Sequence, residues 1–162
     1  MGRIQKILVP VDGSVNGCKA VDEAIFFAEK CKADLDFVYV ASNINKDIPS
    51  HIVFDRIWEK LPDDIKASKH VETGNIPKAI MRVAAEEHSD LIIMGSRGLG
   101  LFKGALIGSV SQKVVEESPI PVMVIKYPKT AITSPHKSST AASVTPTTTE
   151  AAFSFPSAGP VV

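Results

Sequence analysis

The stretch Asp90-Leu91-Ile92-Ile93-Met94-Gly95-Ser96-Arg97-Gly98 carries the strongest structural signal in the chain. Residues 91–94 form a short, continuous apolar run, which is typical of a strand buried on both faces of a sheet. Glycines follow at positions 95, 98, 100, 104 and 108, so this strand leads into a glycine-rich loop. Strands buried on both faces belong mainly to parallel sheets that carry helices on each side. The stretch therefore predicts an α/β protein with a glycine loop at the carboxyl end of one strand.

Strand-like and helix-like segments alternate on either side of this stretch. The other strand candidates are 6–11 (KILVPV), 34–41 (DLDFVYVA), 65–72, which we expect near a sheet edge, and 122–126. Helical periodicity and capping residues predict helices over 14–32, 52–61, 76–88 and 109–117. This alternation predicts a three-layer, doubly wound, Rossmann-like α/β fold with a parallel sheet. Such sheets bind ligands beyond the carboxyl ends of their strands, which points to the loops after Val11, Val40 and Met94.

Charge and hydropathy exclude two classes of partner. The chain has 162 residues, with 18 basic and 18 acidic side chains. A net charge of zero creates no field that would draw the protein to nucleic acid or to anionic lipid. The apolar runs are also much shorter than the roughly 20 residues that span a bilayer. We therefore expect neither nucleic acid nor a membrane as a partner.

The composition changes near residue 128. Residues 1–127 have the composition of one folded domain, whereas 128–162 are rich in Ser, Thr, Ala and Pro and are predicted to form a disordered tail. Cys18 and Cys31 fall in one predicted helix, about 20 Å apart and beyond the reach of a disulfide. Free thiols, together with an amino-terminal stretch that does not resemble a signal peptide, predict a cytoplasmic protein.

The glycine loop is a candidate anion site. Glycine lets an anion approach the backbone, and successive N–H groups in such a loop form an anion-binding concavity. Gly108-Ser109 then opens a helix whose positive end favours phosphate, with Arg97 and Lys103 nearby in sequence. The alternative is a glycine-rich turn without a ligand. The loop is not a P-loop, since no Gly-Lys-Ser/Thr closes it, and it does not match the dinucleotide fingerprint.

The spacing Gly95-x2-Gly98-x9-Gly108-Ser109 resembles the ATP-binding signature of the universal stress protein family. The opening segment 6–14 (KILVPVDGS) and the closing segments 108–111 (GSVS) and 119–125 (PIPVMVI) are similar to the same family, in the same order. The resemblance covers roughly residues 3–127. It implies a five-stranded parallel sheet in the order 3-2-1-4-5, with ATP at the carboxyl ends of the strands. It also implies a homodimer that pairs through Val122–Ile125.

The resemblance also implies the residues of the site. Asp12 would lie near the ribose, Val40 would meet the adenine through its backbone, and the glycine loop would wrap the ribose and phosphates. Mg²⁺ or Mn²⁺ would bind through the phosphates without dedicated protein ligands. The full set of cofactor-binding candidates is Pro10, Val11, Asp12, Val40, Met94, Gly95, Ser96, Arg97, Gly98, Gly108, Ser109, Val110 and Ser111.

Three functional hypotheses remain. The first is a regulatory stress-response protein in which ATP occupancy tunes dimer or partner interactions. The second is a slow ATPase, although the sequence offers no catalytic residue that would activate water. The third is a dimeric interaction module without nucleotide. Asp12 has the alternative role of catalytic acid or metal ligand. The histidines at 51, 70, 88 and 136 lack metal-ligand spacing and are expected to face solvent, and Cys18 is expected to be a small packing residue rather than a nucleophile.

Overall fold

The computed structural model describes residues 3–41, 48–98 and 107–126. The predicted tail, His136 and the loop position Lys103 lie outside these residues. The described chain alternates strictly between strand and helix. The elements are β1 (Lys6–Pro10), α1 (Val15–Cys31), β2 (Asp34–Ala41), α2 (Ser50–Trp58), β3 (Ala67–Thr73), α3 (Ile76–Glu86), β4 (Leu91–Gly95), α4 (Ser109–Glu117) and β5 (Val122–Ile125).

The five strands form one parallel sheet in the order β3-β2-β1-β4-β5. This confirms the doubly wound fold and the strand order 3-2-1-4-5. It also confirms that the third strand is at an edge of the sheet. The three central strands are largely buried, which agrees with the predominance of apolar residues in their sequences.

The helices cover the two faces of the sheet in pairs. Alternate strand residues, such as Ile7 and Val9, pack against α1 and α2 on one face. Leu8 and Ile92 point to the opposite face and pack against α3 and α4. The period-2 alternation of the strands thus builds two separate apolar cores, one on each side of the sheet.

Most predicted boundaries lie within two or three residues of the observed ones. α1 begins at Val15 because the Ser14 hydroxyl accepts the Gly17 N–H, and it ends at Cys31 because the next residue, Lys32, is left-handed with a φ of 57°. α2 is nine residues long, lies in the connection between β2 and β3, and buries Val53 against the core. Cys18, which was expected to be a small packing residue, lies instead on the exposed side of α1. Among the described residues, no helix is long and apolar enough to span a bilayer.

Candidate functional site

The centre of the sheet is the point at which the chain reverses its direction of winding. β1 pairs with β2 on one side and with β4 on the other. The chain leaves β1 toward β2 and leaves β4 toward β5. The two connections therefore diverge, and a crevice opens between them at the carboxyl ends of the strands.

A cleft of about 560 Å³ occupies this position, a volume that includes the space open to solvent at its mouth. Its described lining residues come from β1, β2 and β4, from the turns that follow β1 and β4, and from α1, α3 and α4. They are Pro10, Val11, Asp12, Gly17, Val38, Val40, Ile76, Ile80, Met94, Gly95, Arg97, Gly98, Val110 and Ser111. Three strands and three helices thus contribute to one concave surface. Small-molecule sites of parallel sheets usually lie at such a switch point, where the strand order reverses.

The cleft has an apolar part and a polar part. Val38 and Val40 of β2, together with Ile76 and Ile80 of α3, provide aliphatic walls. Met94 adds a buried side chain from β4. Such surfaces suit a flat, mainly apolar ring system.

The polar part begins in the turn after β1. The Asp12 carboxylate accepts the Ser14 N–H at 2.9 Å, which fixes its orientation. Gly13 has φ +78°, a conformation that glycine adopts without strain. The Ser14 hydroxyl accepts the Gly17 N–H at 3.1 Å and donates to the Arg97 carbonyl at 3.4 Å. The turn after β1 is thus tied both to α1 and to the loop after β4.

The two ends of the glycine loop are held together beside the cleft. The Gly108 N–H donates to the Ser96 carbonyl at 2.7 Å, and the Ser96 N–H donates to the Ile125 carbonyl at 2.8 Å. The Ser111 hydroxyl donates to the Gly95 carbonyl at 2.8 Å. These bonds bring the amino terminus of α4 next to the end of β4. Among the described residues, no side chain caps α4, so its first turn is suited to an anion.

Most of the predicted site residues line this cleft. Three do not: Ser96 is buried and braces the loop, while Gly108 and Ser109 lie at the start of α4, outside the described lining. Four lining residues were missed by sequence reasoning, namely Gly17, Val38, Ile76 and Ile80. Val38 is two residues from Val40 on one strand, so the period-2 pattern was a usable signal. The two isoleucines belong to a helix that only the packing brings to this edge.

The expectation for His70 was wrong. Its side chain is only 22% exposed and faces the buried carboxylate of Asp36, with Nε2 at 3.5 Å from Oδ1. His51 and His88 are exposed, as expected. Asp36 and His70 lie on two neighbouring parallel strands, and the pairing of these strands brings them together. Their spacing in the sequence therefore gave no sign of the contact.

The comparisons with known proteins all lead to one family. The family model described as the universal stress protein family matches residues 3–53 and 58–126. Universal stress protein YxiE of Bacillus subtilis is 28% identical over 145 aligned residues, covering 75% of this chain and 98% of the relative. Putative universal stress protein SSP1056 of Staphylococcus saprophyticus is 32% identical over 141 residues, covering 75% and 83%.

Solved structures show the same fold. The hypothetical protein MJ0577 is 26% identical with a TM-score of 0.68, covering 80% of this chain and all of its own. A universal stress protein in complex with cAMP is 23% identical, with a TM-score of 0.63 and coverage of 76% and 98%. One from Archaeoglobus fulgidus in complex with dAMP is 18% identical, with a TM-score of 0.56 and coverage of 77% and 100%. Because its sequence matches the family model over most of its length, the chain belongs to the universal stress protein family.

Proposed function

We propose that this stress-response protein binds ATP in the cleft and that nucleotide occupancy tunes its interactions with a second copy or with another protein. One observation carries the proposal: an apolar pocket and a glycine loop at a helix amino terminus share one crevice at the switch point of the sheet. The two structural relatives in complex with cAMP and dAMP support a purine nucleotide as the ligand. Free thiols at both cysteines are consistent with action in the cytoplasm.

The apolar part of the cleft suits the adenine ring. Aliphatic side chains from β2, β4 and α3 present their surfaces to it, and Val40 also offers its backbone at the strand end. Burial of a purine against such walls provides a non-directional attraction, while backbone groups distinguish the ring edges. We therefore assign adenine to the region between Val40, Ile76 and Met94.

Asp12 suits the ribose. Its carboxylate lies against Gly98, because a Cβ built on that glycine would meet the Asp12 carboxylate directly. The bond from the Ser14 N–H holds Oδ1 in place, and a carboxylate oriented in this way can accept hydrogen bonds from ribose hydroxyls. This position between the aliphatic walls and the glycine loop favours ribose binding over a role as catalytic acid.

The glycine loop and α4 suit the phosphates. Gly95, Arg97 and Gly98 line the cleft on one side, and Val110 and Ser111 of the first turn of α4 line it on the other. Helix dipole, backbone N–H groups and the Arg97 guanidinium all favour negative charge there. A Mg²⁺ or Mn²⁺ ion would be held through the phosphate oxygens and neutralise part of their charge, without a dedicated protein ligand.

The test is to identify the nucleotide that copurifies with the full chain by mass spectrometry, and then to titrate the stripped protein with ATP in a calorimeter. We expect ATP to be recovered intact and to rebind at one equivalent. Recovery of ADP would instead support the slow ATPase. Absence of both recovery and rebinding would support the nucleotide-free interaction module.

The same titration in EDTA tests the role of the metal. We expect weaker binding without a divalent ion, because the phosphate charge is then neutralised by Arg97 and the backbone alone. AMP, which lacks the β- and γ-phosphates, is the control and should show little dependence on EDTA. An equal EDTA effect on both ligands would contradict metal binding through the phosphate chain.

We also propose that β5 pairs with its copy in a homodimer. β5 is an edge strand, and all four of its residues are apolar and only half-buried. Apolar edge strands without charges are normally covered in soluble proteins, because their free N–H and C=O groups would pair with other chains. A second copy of the same strand is the simplest pairing partner for this edge.

The substitution Val124→Lys is expected to weaken this dimer at least about tenfold, which corresponds to roughly 1.4 kcal/mol. A charge on the edge strand opposes edge-to-edge pairing. The matched control is Val71→Lys on β3, the opposite edge, where the side chain is 58% exposed. Sedimentation equilibrium measures the dimer dissociation constant of both variants. Dissociation by Val71→Lys but not by Val124→Lys would move the interface to the other edge.

A further inference from the structure

Four charged or titratable side chains from β1, β2, β3 and the end of α3 meet outside the described lining of the cleft. We call them the Asp36 cluster: Lys6 at the start of β1, Asp36 of β2, His70 of β3, and Glu87 just after α3. Four separate parts of the chain supply them. The cluster shares no residue with the described lining of the cleft.

Two atoms in the cluster lack the hydrogen bonds that buried polar groups normally make. Asp36 is 2% exposed, and its Oδ2 atom accepts no hydrogen bond from the described residues, although the Lys6 ammonium lies near it. The Nε2 atom of His70 is likewise buried and without a hydrogen bond in this part of the chain. Unsatisfied buried polar atoms cost free energy and often mark a site for a ligand or an ion.

The donor set is suited to a transition-metal ion. One ligand atom from each of Asp36, His70 and Glu87 lies within 4.8 Å of the others. Asp36 Oδ1 and His70 Nε2 are 3.5 Å apart, close to the roughly 3.4 Å that separates two ligands of a tetrahedral zinc with bonds of about 2.1 Å. One imidazole and two carboxylates form an open, three-ligand set of the kind that zinc accepts with a water in the fourth position.

Lys6 supplies the positive charge of the cluster. Its Nζ atom lies 3.3 Å from Asp36 Oδ2 and 3.1 Å from Glu87 Oε2. Burial lowers the pKa of Lys6, but the hydrogen bond to Glu87 and the attraction of both carboxylates outweigh burial and raise it above its usual value. The hydrogen bond from Lys6 lowers the pKa of Glu87. The Lys6 side chain is 29% exposed, so its flexible stem can carry the ammonium out to solvent.

We propose that the Asp36 cluster is a zinc site in which Zn²⁺ and the Lys6 ammonium compete for the same two carboxylates. Leaving His70 aside, two carboxylates and one ammonium amount to one net negative charge. Exchange of the ammonium for a dication removes this excess and gives the Asp36 carboxylate and His70 Nε2 a direct bond to the metal. His70 and Glu87 are partly exposed and provide the path of entry.

The test uses the full chain, freed of metal and titrated with Co²⁺ and then Zn²⁺. We expect one equivalent of Co²⁺ to give the visible absorption of a four-coordinate site and Zn²⁺ to displace it. His70→Gln should weaken zinc at least about tenfold, because one of three ligands is lost. His51→Gln, an exposed histidine on α2, is the matched control and should bind as the wild type does.

Lys6→Met tests the competition. This variant should bind zinc more tightly than the wild type, and zinc should raise its melting temperature more, since binding to the folded state alone stabilises it. Equal zinc affinity in the two histidine variants would overturn the assignment. So would weaker zinc binding by Lys6→Met, or no binding by the wild type at a metal concentration of about 100 µM.

Discussion

Gly98→Val is expected to abolish measurable ATP binding while the protein stays folded. Position 98 lines the cleft, and a Cβ there would collide with the Asp12 carboxylate. The valine would therefore displace the group that we assign to the ribose and occupy space that we assign to phosphate. A loss of affinity of at least 100-fold, about 2.7 kcal/mol, is expected in a calorimetric titration.

The fold should tolerate this change, because the collision is with a side-chain carboxylate and not with the backbone. Gly108→Val provides a second, independent variant. A Cβ at 108 would lie 3.4 Å from the Ser96 carbonyl oxygen and 3.5 Å from the Arg97 Cα, so the protein has room for it. We expect this variant to fold and also to lose ATP. Wild-type affinity in both variants, with unchanged circular dichroism, would refute the assignment of the phosphates to this loop.

Gly95→Ala is expected to destabilise the nucleotide-free protein by about 3 kcal/mol, the upper part of the usual range for overpacking. A Cβ at 95 would lie 2.7 Å from the carbonyl carbon of Asn16 and 2.8 Å from its oxygen. These are backbone atoms in the first turn of α1, so β4 and α1 would have to move apart. Urea denaturation, with the slope unchanged, measures the loss.

Gly108→Ala is the matched control for this measurement. It adds the same methyl group to the same loop, but the contacts of its Cβ are close to ordinary ones. We expect a change of less than about 1 kcal/mol, as for most substitutions that create no clash. An equally small loss of stability in Gly95→Ala would contradict the prediction, because it would mean that α1 and β4 can move apart at little cost.

Local patterns were sufficient for the architecture. The strong β formers of β2 (Phe37, Val38, Tyr39 and Val40) and the start signal Gly108-Ser109 of α4 predicted both elements with the observed bounds, Asp34–Ala41 and Ser109–Glu117. β3 was the weakest strand prediction, and its half-exposed pattern explains why. A strand at an edge receives less burial, so its sequence is under weaker constraint.

The site was predictable only where it is built from contiguous residues. The glycines of the loop after β4 and the Asp12 turn after β1 are visible as short motifs beside apolar strands. Ile76 and Ile80 look like any other apolar helix positions, and nothing local separates a residue that lines a cleft from one that fills a core. Their role depends on where α3 lies against the sheet.

The amino-acid sequence by itself therefore determined the alternation of strands and helices, the family and the position of the glycine loop, because each depends on neighbouring residues or on a fixed spacing. The tertiary structure alone decided which distant groups meet. Parallel pairing puts His70 next to Asp36, 34 positions earlier in the chain, and close packing sets Gly95 against the backbone of Asn16. Contacts of this kind arise from strand order and register, which no local periodicity encodes.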